Sequence, residues 1–115
     1  MAAGTRTRVA WLVLVLSGLL ETVWAVALKQ SDGFSRPAWV TVFAVAAAGS
    51  LAGLAYALKD LPVGSAYAVW TGIGAVGAAL VGVVALGEPA TALRALGIAL
   101  IVGGIVALRL AGVEG

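Results

Sequence analysis

Four apolar runs, each about as long as a bilayer-spanning helix, leave this chain few ways to fold. They cover roughly Val9 to Leu28, Ala38 to Leu58, Val63 to Leu86 and Thr91 to Leu110. At about 1.5 Å per residue, twenty helical residues span roughly 30 Å, the thickness of a bilayer's hydrocarbon core. The charged fraction is 10%, against about 25% in a soluble domain. Mean hydropathy is +1.13. The expectation is an all-α integral membrane protein, with residues 1–115 forming a single four-helix domain whose loops are too short to hold a soluble unit.

The breaks between the runs carry ordinary helix punctuation. Lys29 to Pro37 forms a short polar loop, with Asp32-Gly33 as a turn signal and Pro37 as a helix-starting residue. Lys59-Asp60-Leu61-Pro62 ends the second run, and Pro62 opens the third. Gly87-Glu88-Pro89 breaks the third from the fourth. The basic start (Arg6, Arg8), the first apolar run and Ala25-Val26-Ala27 also allow a secretory signal to be read there. Glu21 inside that run and Trp24 beside the supposed cleavage site count against it. A first transmembrane helix is the better reading.

Glu21 is the one acidic residue within these runs. A carboxylate near the middle of a spanning helix costs on the order of 3 kcal/mol on insertion scales, so such residues mark function by default. Ser17, Gly18, Glu21, Trp24 and Leu28 recur at spacings of three and four and share a helix face. A small residue one turn before the carboxylate leaves space beside it, and an aromatic one turn after forms a wall. The bland alternatives are helix packing for Gly18, an interfacial belt position for Trp24 and a structural hydrogen bond for Glu21.

The third run places Tyr67, Trp70 or Thr71, and Gly74 on one stripe, with polar handles that seek partners when buried. Gly72, Gly74 and Gly77 either form a bend or permit close packing. Ser50, between Gly49 and Gly53, is the mid-span hydroxyl of the second run. Gly97, Leu100, Ile101 and Gly104 give the fourth run a seven-residue return of glycine, which suits a packed helix pair and marks a candidate dimer interface. Arg94 and Arg109 lie about 22 Å apart at helical rise. Arg109 either snorkels to an interface or turns inward to a carboxylate.

Several function classes are excluded. The chain has no cysteine and no histidine, which removes thiolate nucleophiles, disulfides and the usual near-neutral proton carrier. It shows no nucleotide-binding loop, no metal-ligand cluster and no nucleophile paired with a base, so neither an enzyme nor a bound cofactor or metal is expected. No basic patch suits nucleic acid. The lysines and arginines divide almost evenly between the two membrane faces. Arg6, Arg8, Lys59 and Arg109 fall on one, and Lys29, Arg36 and Arg94 on the other. The positive-inside rule needs an excess to fix orientation. This balance permits insertion both ways, and with it an antiparallel dimer of identical subunits; the alternative is that one orientation wins by a small margin.

The motifs also match a known pattern. Gly18-x-x-Glu21, Ala27-Leu-Lys29, Ser31-Asp-Gly-Phe34, Leu61-Pro-x-Gly64, Ala66-Tyr-Ala-x-Trp70, Gly72-Ile-Gly74 and Glu88-Pro89 occur in order across the four runs. In these the chain resembles the small multidrug resistance family of bacterial four-helix transporters over nearly its whole length. Within it, Glu21-Thr-Val-Trp24-Ala and Trp70-Thr-Gly-Ile-Gly-Ala look like the guanidinium-exporter subtype.

The resemblance implies an antiparallel, dual-topology homodimer in the bacterial inner membrane, in which two copies of Glu21 share one site for guanidinium and protons. It implies Ser50, Tyr67 and Trp70 as hydrogen-bonding partners of Glu21, Gly18 and Trp24 as shapers of the pocket, and a helix-three bend at Gly72 and Gly74. The implied activity is proton-coupled antiport of guanidinium and small guanidinyl compounds. The alternatives are a polyspecific exporter of quaternary ammonium and aromatic cations, a membrane assembly subunit that transports nothing, and an obligate heterodimer partner.

Overall fold

The computed structural model describes residues 2–112. They form four helices in sequence: α1 (Ala2–Gln30), α2 (Pro37–Ala57), α3 (Val63–Ala85) and α4 (Ala92–Gly112). All four are long and apolar enough to cross a membrane. α1 begins well before the Val9 expected from hydropathy. The polar turns around Arg6 simply extend the same helix, and Arg6 Nε lies 3.6 Å from the Asp60 carboxylate in the α2–α3 loop.

The helix ends follow from local chemistry. Asp32, Gly33 and Phe34 all have positive φ, a left-handed run that stops α1. Ser31 organises this turn: its buried hydroxyl donates to the Leu28 carbonyl at 2.7 Å and accepts from the Phe34 amide at 3.1 Å. Pro37 then begins α2, its missing N–H falling where no intrahelical partner exists. Pro62 stands extended just before α3. Gly87, at φ 72°, ends α3 and lets the Glu88 amide reach back to the Gly82 carbonyl at 3.0 Å. Thr91 opens α4, its hydroxyl accepting from the Arg94 amide at 3.1 Å.

α1 is the centre of the arrangement, packing along α2 on one side and α3 on the other. α4 packs its backbone on α3 alone among the described helices. The buried core lies towards the amino end of α1, where Ala10, Trp11 and Leu14 meet Leu54, Ala57 and Leu61 on one side and Ala66, Val69 and Trp70 on the other. Ile105 and Leu108 of α4 lean onto this cluster, and the Arg109 guanidinium stacks over the Trp11 ring at 4.7 Å. Arg109 therefore neither meets a carboxylate nor stands clear of the protein; a buried indole takes it up as a cation–π partner. The protomer is flat, 47 × 35 × 18 Å, and much of its apolar surface is outward.

Small residues set how closely the helices approach. A Cβ on Gly53 would stand 2.6 Å from the Ser17 Cβ, and one on Gly18 would stand 2.9 Å from the Ile73 Cβ. A Cβ on Gly72 would meet Ile105 and Ile101 of α4 at 3.0–3.2 Å. At the α1–α2 contact the buried Ser50 hydroxyl also donates to the Ser17 carbonyl at 2.7 Å. Three outcomes follow, two at this contact and one control on α3. Gly53→Ala lowers stability by about 1–3 kcal/mol through overpacking, while Gly64→Ala, where a Cβ meets open space, stays within about 0.5 kcal/mol. Ser50→Ala costs about 1 kcal/mol for the lost interhelical hydrogen bond. Reversible unfolding in mixed micelles measures all three.

Candidate functional site

Glu21 lies in the middle of the α1 span, where the helix is wedged between α2 and α3. Its carboxyl presses on Gly74 of α3: a Cβ there would fall on the carboxyl oxygen. A glycine opposite the acid is thus a geometric requirement of this packing. One carboxyl oxygen, Oε1, is buried and has no hydrogen-bond partner, and the carboxyl makes no ion pair among the described residues. Trp24 Nε1, one turn on along α1, and Trp70 Nε1 of α3 are also buried and unpartnered, as is Trp11 Nε1 in the core. Buried polar atoms are nearly always paired, so these groups are candidates for partners from outside the protomer.

The surrounding residues fall into three groups. Gly18 is buried against Ile73 and the Trp70 carbonyl, so it brings α1 onto α3 one turn before the acid. Trp24, one turn after, is partly buried and meets Phe43 of α2 edge-on, with ring centroids 5.9 Å apart. Phe43 in turn meets Phe34 of the first loop at 5.8 Å. Trp70 is buried in the core, and Tyr67 lies against its ring at 5.6 Å.

The expected hydrogen bonds to Glu21 are not made within one protomer. Ser50 gives its proton to the Ser17 carbonyl, which in α-helical geometry is also the acceptor of the Glu21 backbone N–H. Ser50 therefore anchors the backbone that carries the acid. Tyr67 is 54% exposed. Trp70 Nε1 donates to nothing. Gly72 and Gly74 lie within one α-helix, Val63–Ala85, and each receives a neighbour: Gly72 takes Ile101 and Ile105 of α4, and Gly74 takes Glu21.

On α4, Gly97 and Gly104 have no atom within 4 Å of a built Cβ, and Leu100 is 68% exposed. These three face outward together. Ile101 differs, being partly engaged against Gly72 inside the protomer.

Sequence reasoning passed over Thr22. Its hydroxyl donates to the Gly74 carbonyl at 3.2 Å, and it also occupies the space that a Cβ on Gly77 would need. The signal was present as a hydroxyl beside the acid, but nothing in the spacing says which neighbour it meets. No group of three or more His, Cys, Asp or Glu side chains able to hold a metal occurs among the described residues.

Comparison with known proteins gives this geometry a family. The family described as Small Multidrug Resistance protein matches residues 9–101. A protein of Yersinia pseudotuberculosis named "Guanidinium exporter" is 57% identical over 104 residues, covering 89% of this chain and 98% of its own. Proteins of the same name from Escherichia coli K12 and Salmonella typhimurium are 58% and 53% identical over 103 residues, each covering 88% of this chain and 96% of their own. The family match spans all of α1 after its polar turns, α2, α3 and half of α4, and takes in Glu21 with every residue packed around it. The chain belongs to the small multidrug resistance family.

Proposed function

We propose that the protein exports guanidinium ion, and small guanidinyl compounds, by proton-coupled antiport across the bacterial inner membrane. The observation that carries this reading is a single mid-span carboxyl with one buried, unpartnered oxygen, in a chain more than half identical to proteins named as guanidinium exporters. Guanidinium is planar and its paired N–H groups match the two oxygens of a carboxylate. A carboxyl that can hold either a proton or this cation, but not both, couples the two fluxes. Alternating exposure of the site to the two faces then carries the cation outward as protons return inward down their gradient, with no ATP.

The working unit in this proposal is an antiparallel homodimer, with two copies of Glu21 at one shared site. The flat protomer and the outward Gly97, Leu100 and Gly104 of α4 supply a surface for pairing. In such a pair the exposed Tyr67 stands at the subunit boundary, where its hydroxyl can serve the shared site together with Trp70 and Ser50. Gly18 and Trp24 shape the space around it, and the glycines at 72 and 74 let α3 differ between the two subunits. The near-even division of Lys and Arg between the two faces permits both orientations.

Solid-supported membrane recordings on proteoliposomes test this directly. Guanidinium evokes a coupled current in the unsubstituted protein, and Glu21→Gln reduces it to the level of empty liposomes. A larger current for a bulky quaternary ammonium than for guanidinium makes the protein a polyspecific exporter instead. Because proton and cation compete for one group, the guanidinium concentration giving half-maximal current rises as pH falls. The rise approaches about tenfold per pH unit for each carboxyl once it is mostly protonated. A half-maximal concentration that does not move with pH removes the competition.

A further inference from the structure

Some side-chain hydroxyls in and beside these helices bond the backbone one turn back, a common habit of serine and threonine in helices. Ser17 donates to Leu14, Ser31 to Leu28 and Thr41 to Pro37. Two cross to another helix instead: Ser50, from α2 to the Ser17 carbonyl of α1, and Thr22, from α1 to the Gly74 carbonyl of α3. Glu21 lies between their attachment points on α1. The first bond holds the backbone one turn before the acid. The second holds the residue immediately after it.

Glu21 and Thr22 also share one seat on α3. The carboxyl lies on Gly74, the threonine side chain lies on Gly77, and the Thr22 hydroxyl closes the arrangement on the Gly74 carbonyl. Neighbouring residues on a helix point about 100° apart, so a hydrogen bond from Thr22 fixes the rotation of α1 about its axis and its height against α3. Those two coordinates place the carboxyl.

We infer that Thr22 is a positioning residue, whose hydrogen bond to Gly74 sets where the Glu21 carboxyl stands and so how strongly it takes up guanidinium and protons. This rests on reading Glu21 as their shared binding group. The helices packed against Glu21 put no opposing charge there. α2 and α3 carry no Asp, Glu, Lys or Arg, and their titratable groups are the phenols Tyr56 and Tyr67; Lys29 is the remaining charged group on α1 after Glu21. A change at Thr22 therefore acts through placement and hydrogen bonding, with no charge added or removed.

Thr22→Val keeps the shape and deletes the hydroxyl, while Thr22→Ser keeps the hydroxyl. In proteoliposome currents, Thr22→Val raises the half-maximal guanidinium concentration about three- to tenfold, the range set by one interhelical hydrogen bond in a membrane. It also displaces the pH profile, and Thr22→Ser restores both. Infrared titration of the protonated-carboxyl band, with Glu21→Gln identifying the band, reads the same effect without substrate: its midpoint moves in Thr22→Val and stays in Thr22→Ser. Thr22→Val matching the unsubstituted protein in both measurements overturns the inference, as does Thr22→Ser matching Thr22→Val. Absence of a guanidinium current in the unsubstituted protein overturns the transport reading instead, and the infrared midpoint then decides the role of Thr22.

Discussion

An acid can lie inside this apolar bundle because α3 offers it bare backbone. Glu21 meets α3 at Gly74, and any side chain there would occupy the volume of the carboxyl. The rest of the architecture serves this close approach. Gly18 admits Ile73 one turn earlier, Gly77 admits Thr22 one turn later on α3, and Gly53 admits Ser17 on the opposite side of α1. In lipid the hydrophobic effect contributes little between helices, so van der Waals contact and interhelical hydrogen bonds must hold them. Both occur where the acid sits. Packing and chemistry consequently depend on the same few residues.

Under the proposed function, that overlap shapes how the site takes up its ligands. The carboxyl has an unpartnered oxygen, and the Trp24 and Trp70 indoles have unpartnered N–H groups, so the protomer presents capacity for hydrogen bonds that it does not itself use. Its backbone, by contrast, is held firmly: Ser50 reaches the carbonyl that also receives the Glu21 amide, and Thr22 reaches α3. A backbone already held in place lowers the ordering cost of binding, which under the proposed function favours affinity for a small cation that brings few contacts of its own.

Much of the fold was legible in the sequence. Each apolar run became a helix of nearly the expected extent, and the breaks at Pro37, Pro62, Gly87 and Thr91 fell where their backbone chemistry places them. The start of α1 did not, because hydropathy marks where lipid begins, and a helix can continue into water through residues such as Arg6. Glu21 and its glycine and tryptophan neighbours were legible because a charge in an apolar run is rare and costly. The partners of Ser50, Thr22 and Tyr67 were not. Helices that are apolar on every side carry no stripe to reveal their rotation, so the sequence could name the hydroxyls but not their destinations. Arg109 was ambiguous for a related reason: its choice of Trp11 depends on how α4 leans across α3.

The stack of Arg109 on Trp11 has a consequence in time. α1 and α4 share no backbone packing of their own, and this contact joins positions near the two ends of the chain. Closing so long a loop is entropically unfavourable until the intervening helices are in place. Until α4 docks, only the part of the Trp11 ring that the Arg109 guanidinium covers stays open, because α2 and α3 already enclose the rest. Docking of the final turn of α4 thus completes a core that the first helix began.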